Sequence, residues 1–205
     1  MASLVSITSQ SRPAAETDLR APGAVLLVSC YELGHQPLAL ASAADTLREA
    51  GLAPAVRDLA VEDLTDDDLA RARLVAVSVP MHTAMRLGQR VLDRLRQSHP
   101  ETPAVFFGLY AVLNADHLFA TGAEAVIGGE FHQPLRAIAD LLASGGDLAT
   151  SRLPGVITPA NRDPEPVPKP SFPTPVRDGL PMLRSYAGFE RDGTIVPAGY
   201  VEATR

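Results

Sequence analysis

The chain has 205 residues, 46% of them hydrophobic, no Trp, and 18 Lys+Arg against 24 Asp+Glu. That length builds one domain with a good core plus an appendage. The acidic balance, with no Lys/Arg cluster, argues against nucleic acid or an anionic membrane as the main partner. One cysteine, Cys30, excludes a disulfide framework and a Cys-based metal site. No apolar run approaches the roughly 20 residues of a membrane span, and the N-terminus lacks the basic start and hydrophobic core of a secretory signal. The expected compartment is the cytoplasm.

In chain order, residues 1–22 carry no sustained periodicity and read as a loose arm. Residues 23–146 then alternate regularly between β and α patterns. The strand-like runs are 24–29, 53–58, 74–78, 104–107 and 125–127, short and apolar as in strands buried on both faces of a parallel sheet.

Helical stripes fill the gaps. Leu40, Ala43, Ala44, Leu47 and Ala50 share a face between Pro37 and Gly51. Thr65 followed by Asp66-Asp67-Asp68 reads as a cap with acids in the first helical turn, in preference to a cation site. Leu87, Val91 and Leu95 recur at intervals of four beside Ala84, Gly88 and Leu92, with Thr83 as the expected cap. Asn114 is expected to cap a short helix that Gly122 ends, and Leu135, Ile138, Ala139 and Leu142 stripe the last one before Gly145-Gly146.

Five βα units with right-handed crossovers give an α/β doubly wound, flavodoxin-like (Rossmann-like) five-stranded parallel sheet in a three-layer sandwich. A Pro-rich C-terminal extension follows over residues 147–205. Nine of the 18 prolines fall between Pro154 and Pro181, which excludes helix and central sheet there. The apolar patch from Ile195 to Val201 is expected to form a hairpin or the first strand of something else.

In such a sheet, ligands bind beyond the carboxyl ends of the strands. The loops expected there are unusual. Neither Gly-x-Gly-x-x-Gly nor a phosphate loop ending in Gly-Lys-Ser/Thr is present. Strand three ends in Ser78, where a phospho-receiver carries Asp. The loop after strand one, Cys30-Tyr31-Glu32-Leu33-Gly34-His35, is unlike the Thr/Ser/Gly phosphate loop of a flavodoxin.

The loops instead resemble those of the cobalamin-binding domain that precedes radical SAM enzymes. Tyr31-Glu32-Leu33-Gly34-His35-Gln36-Pro37 looks like that family's first loop, and Ser78-Val79-Pro80-Met81-His82-Thr83 like its Ser-containing third loop. Phe107-Gly108-Leu109-Tyr110-Ala111 resembles the fourth, and Gly128-Gly129-Glu130 the Gly-Glu turn that opens the last helix. The segment from Arg152 to Val156, with the prolines after it, looks like the interdomain linker. Gly199-Tyr200-Val201-Glu202-Ala203-Thr204-Arg205 is similar to the first strand of the radical SAM barrel.

The resemblance implies a cofactor and a site. Tyr31, Glu32, Gly34, His35, Gln36, Ser78, Val79, Pro80, His82, Thr83, Gly108, Tyr110, Ala111, Gly128, Gly129 and Glu130 would contact cobalamin. Its nucleotide tail would leave cobalt and insert between sheet and helices, in the base-off state. Ser78, Gly108, Gly128 and Gly129 suit such a slot because they lack bulk. Many cobalamin domains place Asp-x-His-x-x-Gly after strand one. Aligned here, Glu32 takes the Asp position, Gly34 the His and Pro37 the Gly, so no protein His on cobalt is expected; His35, one residue off, is the alternative. In the family a Gly-Cys pair comes next and opens a three-cysteine motif for a [4Fe–4S] cluster. The cluster and S-adenosylmethionine therefore belong to a barrel supplied in cis or in trans.

Other readings stay open at this stage. The chain is the corrinoid module of an enzyme, a stand-alone corrinoid carrier, or a degenerate structural domain whose tail slot is filled by Phe106, Phe107 or Leu109. Cys30 reads as an inert core thiol, Gly122 as a turn residue, and His132 as a weak contact candidate near Gly128-Gly129.

Overall fold

The computed structural model describes residues 18–168 and 175–199. Most of the expected arm, part of the Pro-rich stretch, and the barrel-like residues from Tyr200 onward lie outside the described residues. The elements are β1 (Val25–Ser29), α1 (Leu38–Glu49), β2 (Ala55–Asp58), α2 (Asp66–Arg71), β3 (Leu74–Ser78), α3 (His82–Ser98), β4 (Ala104–Phe107), α4 (Leu109–Leu113), α5 (Ala115–Ala120), β5 (Ala125–Ile127) and α6 (His132–Ala143). After these come β6 (Val156–Ile157), a single 3-10 turn (Leu183–Ser185), β7 (Gly188–Arg191) and β8 (Thr194–Pro197).

The sheet has the order β2-β1-β3-β4-β5-β6. Its first five strands run parallel in the flavodoxin-like arrangement. The two-residue β6 adds an antiparallel sixth strand against β5, pairing Val126 with Ile157 and Ile127 with Val156. The expected five-stranded sheet thus gains an edge strand from the Pro-rich extension.

Alternation along the strands sorts the side chains into two layers. Val25 and Leu27, Leu74 and Ala76, Phe107 and Ile127 face α1 and α6, where Leu40, Leu47, Leu135 and Ile138 cover them. Leu26 and Val28, Val75 and Val77, and Phe106 face α2, α3 and α5, meeting Leu69, Leu92, Leu95 and Leu118. Each Val, Leu, Ile or Phe side chain among these contributes roughly 1.5–3 kcal/mol relative to exposure. One close approach explains a glycine in mid-helix: a Cβ on Gly88 would lie 3.1 Å from Val77 Cγ1 and 3.2 Å from a Phe106 ring carbon.

Polar braces hold the ends of the elements. Thr65 and Asp68 form a full capping box at α2. Arg57 of β2 grips the Asp68 carboxylate with two bonds, of 2.9 and 2.8 Å. Arg96 of α3 bonds the Gly122 carbonyl at 3.0 Å and the Glu124 carboxylate at 2.7 Å, tying that helix to the start of β5. Two expected caps differ. The N-cap of α3 is Met81, one residue before the helix, so Thr83 already lies inside it. Asn114 makes no side-chain cap to α5; its amide donates backwards to the Tyr110 carbonyl at 2.7 Å.

Residues 175–187 are more than a spacer. They cross α1 and the loop after β1. Val176 N–H donates to Asp45, Arg48 donates to the Asp178 carbonyl at 3.0 Å, and Arg177 donates to the Gln36 amide oxygen at 2.9 Å. Gln36 in turn donates to the Pro181 carbonyl at 2.9 Å, and Ala187 N–H to the Gly34 carbonyl at 2.9 Å. Tyr186 ends the crossing with a buried ring. Beyond it, every residue of the β7–β8 hairpin is exposed.

Candidate functional site

Because β1 to β5 are parallel, the residues that end them form one row: Asp58, Ser29, Ser78, Phe107 and Ile127 are successive register partners. The chain winds one way from β1 to β2 and the other way from β3 to β5. The crevice between β1 and β3 is therefore the topological switch point. Ser29 and Ser78 stand there, 0% and 2% exposed, on the face that α1 and α6 cover. The Ser29 hydroxyl is buried and has no hydrogen-bond partner.

The loop after β1 is a tight turn in which His35 N–H donates to the Glu32 carbonyl at 2.9 Å. Leu33 and Gly34 both take positive φ, 55° and 81°. A leucine there is strained, and strain of this kind concentrates at functional loops. Its side chain is 61% exposed. Tyr31 and Glu32 are half-buried and His35 is exposed. Gln36 and Gly34 already serve residues 175–187, so the structure brings these two expected contacts to the C-terminal segment.

After β3, Val79 N–H donates to the Phe107 carbonyl at 2.7 Å, and Val79 C=O accepts from Tyr110 N–H at 3.2 Å. Pro80 is half-buried, while His82 and Thr83 are exposed. The His82 ring meets Tyr110 edge-on at 6.3 Å. Gly108 has φ 112°, and a Cβ there would sit 2.8 Å from the Val79 carbonyl oxygen. The chain's own closure requires this glycine, with or without a ligand. Ala111 is buried, but Leu109 and Leu113 of α4 are 65% and 69% exposed at the same sheet edge.

After β5, an added Cβ on Gly128 would meet only Val112, at 3.6 Å, and one on Gly129 would meet nothing within 4 Å. One Glu130 carboxylate oxygen is buried without a partner. Phe131 then packs on Phe107 with ring centroids 5.0 Å apart and stacks on His132 at 4.3 Å. His132 Nε2 lies 2.7 Å from Ser42 Oγ of α1. This stack fills the layer between sheet and helices beside the switch point. Phe107, one of the residues suspected of filling that layer, lies in it; Phe106 faces the opposite layer and Leu109 faces out.

At the β2 end of the row, Tyr186 faces Asp58 without reaching good hydrogen-bond geometry. Asp58 Oδ2 and the Tyr186 hydroxyl are both buried and unsatisfied. Burial, chiefly, holds the Asp58 carboxyl above the usual range. Burial and then Asp58 push the Tyr186 hydroxyl up as well. Cys30 is pushed up to about 12 by burial and the nearby Asp58, which leaves an inert thiol. Among the described residues, no group of three or more His, Cys, Asp or Glu could hold a metal ion. No described helix is long and apolar enough to cross a membrane.

Ser29, Ser42, Asp58, Phe131 and Tyr186 were not among the expected site residues. Ser29 had a readable signal: β1 and β3 end alike, in Leu27-Val28-Ser29 and Ala76-Val77-Ser78.

The fold and the edge define an α/β doubly wound module with a candidate binding crevice at its switch point. Two solved structures of the radical S-adenosylmethionine methyltransferase TsrM from Kitasatospora setae share this fold. The one with cobalamin and a [4Fe-4S] cluster bound has a TM-score of 0.56 and 18% identity, covering 85% of this chain and 31% of that one. The one with tryptophan substrate and the SAM analogue aza-SAM gives 0.54 and 19%, covering 70% and 30%. This chain thus spans about 30% of the length of those proteins. The receiver domain of NtrX from Brucella abortus gives a TM-score of 0.42 at 20% identity, covering 58% of this chain and 98% of that one. No protein-family model matches the chain, and no curated protein does.

Proposed function

We propose that this chain is the corrinoid-binding module of a cobalamin-dependent radical SAM enzyme, serving methyl transfer or related radical chemistry. The observation that carries this reading is the serine pair at the switch point, with the Ser29 hydroxyl buried and unsatisfied. An unpaired buried hydroxyl costs stability, and the amide and phosphate oxygens of a cobalamin tail would satisfy it. The orphaned Glu130 oxygen fits the amide N–H groups of a corrin in the same way. Exposed Leu33, Leu109 and Leu113 give the same edge an apolar surface suited to a flat macrocycle. The fold likeness to cobalamin-bound TsrM supports the reading.

In this proposal Ser29 and Ser78 hold the base-off tail, and Gly128, Gly129 and Glu130 hold polar groups near the start of α6. His35 does not ligate cobalt. When bound, the corrinoid supplies a cobalt able to carry a methyl group. With one cysteine among 205 residues, a three-cysteine cluster and S-adenosylmethionine belong to a barrel outside these residues, in cis or in trans.

A second reading is favoured by the Phe107–Phe131–His132 stack, which occupies the layer that a tail would enter. On that reading the domain keeps the fold and binds no corrinoid. Equilibrium dialysis against hydroxocobalamin separates the two. The first predicts near-stoichiometric binding, weakened at least tenfold by Ser29→Val with Ser78→Val. The second predicts none in a folded sample.

A further inference from the structure

On the α3 side of the sheet, reaching to His82 at the end of the loop after β3, lies a cleft of about 440 Å³ between α3 and α5. Its walls are His82, Arg86, Gln89 and Arg90 from α3, and Asn114 and His117 from the start of α5, with Met85 at the base. His82, Arg86 and Arg90 are four residues apart, so they project from one face of the helix. None of the lining residues is acidic. That stands out in a chain of formal net charge −6.

Several arginines elsewhere in the domain are neutralised, Arg57 by Asp68, Arg94 by Asp66 and Arg96 by Glu124, while Arg73 bonds only backbone carbonyls. Among the described residues, Arg86 and Arg90 make no ion pair, although like charges four apart on a helix repel. The acids nearest in sequence are engaged, and Glu62 and Asp63, which share a separate cleft with Arg90, lie outside this lining. Asp93 accepts from Gln89 Nε2 at 2.9 Å, and Asp116 is bridged by Arg162. Gln89 and Asn114 each use one amide N–H internally and retain a second.

We propose that this cleft binds an oxyanion of the phosphate class. Two guanidinium forks on one side, with amide and imidazole donors opposite, match the geometry that selects phosphate oxygens. The anion is either free phosphate or the terminal phosphate of a nucleotide; both present the same oxygens to Arg86 and Arg90.

The test is an amide-resolved NMR titration of the full chain with sodium phosphate and, separately, with AMP, against sodium chloride at equal ionic strength. Saturable shifts are expected at residues 82–90 and 114–117. Arg86→Ala with Arg90→Ala should weaken binding at least tenfold. Both side chains are exposed, so the variant should fold, and circular dichroism checks it. Arg136→Ala, on α6, should leave the affinity unchanged. AMP binding more tightly than phosphate marks a nucleotide source; equal affinities mark the free ion. Shifts that never saturate, or that are unchanged in the double variant, overturn the proposal. None of these outcomes depends on whether the chain binds corrinoid.

Discussion

Ser29 and Ser78 end neighbouring parallel strands as register partners, both buried, and the Ser29 hydroxyl has nothing to bond. A fold under no other demand gains by replacing such a group. Ser29→Ala should therefore leave stability unchanged or raise it by about 1 kcal/mol, by relieving an unsatisfied hydroxyl. The same variant should bind corrinoid less well. Urea unfolding and a binding titration on one preparation check the two halves. A clear loss of stability would mean that the hydroxyl has a structural partner.

Gly108 should tolerate no side chain. Its φ of 112° and the 2.8 Å approach of the Val79 carbonyl act together. Gly108→Ala is expected to cost about 2 kcal/mol or more, measured as a drop in the urea midpoint. Gly129→Ala, where an added Cβ meets nothing within 4 Å, should cost far less.

Asp68 supplies the clearest pH dependence. Burial opposes its ionisation, but the two bonds from Arg57 and those from Thr65 prevail and hold its carboxyl at about 2. Because the folded value lies below the unfolded one, its stabilisation is present above about pH 4 and is lost as the pH falls toward 2. The linked contribution is about 2 kcal/mol. In Asp68→Asn the difference in unfolding free energy between pH 6 and pH 3 should shrink by about 1 kcal/mol, because at pH 3 about half of that contribution is still present.

The crossing segment should loosen when its first anchor goes. Asp45 accepts from Val176 N–H and pairs with Arg48, which itself holds the Asp178 carbonyl. Asp45→Ala should speed proteolytic cleavage within 175–187 several-fold and raise hydrogen exchange there, with β1 and β3 unaffected. Equal protection in both proteins would mean that Tyr186 and the Gln36 bonds suffice alone.

What could be read in the sequence follows from what is local. Strands β1 to β5 and their helices show because apolar runs and stripes repeat with fixed periods, and Thr65 caps α2 because a cap is a four-residue pattern. Ser78 stood out within an unusual hexapeptide. Its mate Ser29 has no such context and reads only as the end of an apolar run. The role of Gln36 was invisible for another reason. Its partner is the carbonyl of Pro181, 145 residues away, and any residue offers a carbonyl. Strand β6 is two residues long, set between Pro154 and Pro159, so neither propensity nor period marks it. Gly108 reads in the sequence as clearing space for a ligand; the 2.8 Å approach of the Val79 carbonyl oxygen to an added Cβ demands a glycine there in any case.

Corrinoid binding at the switch point is the function proposed for this chain. Its most direct test is the absorption spectrum of the purified chain after incubation with hydroxocobalamin and removal of free ligand, before and after reduction. Retained cofactor is expected and, on reduction, a base-off cobalt(II) spectrum without histidine ligation. Loss of all colour from a folded sample would contradict it and leave the closed Phe107–Phe131 layer as the functional state of the domain.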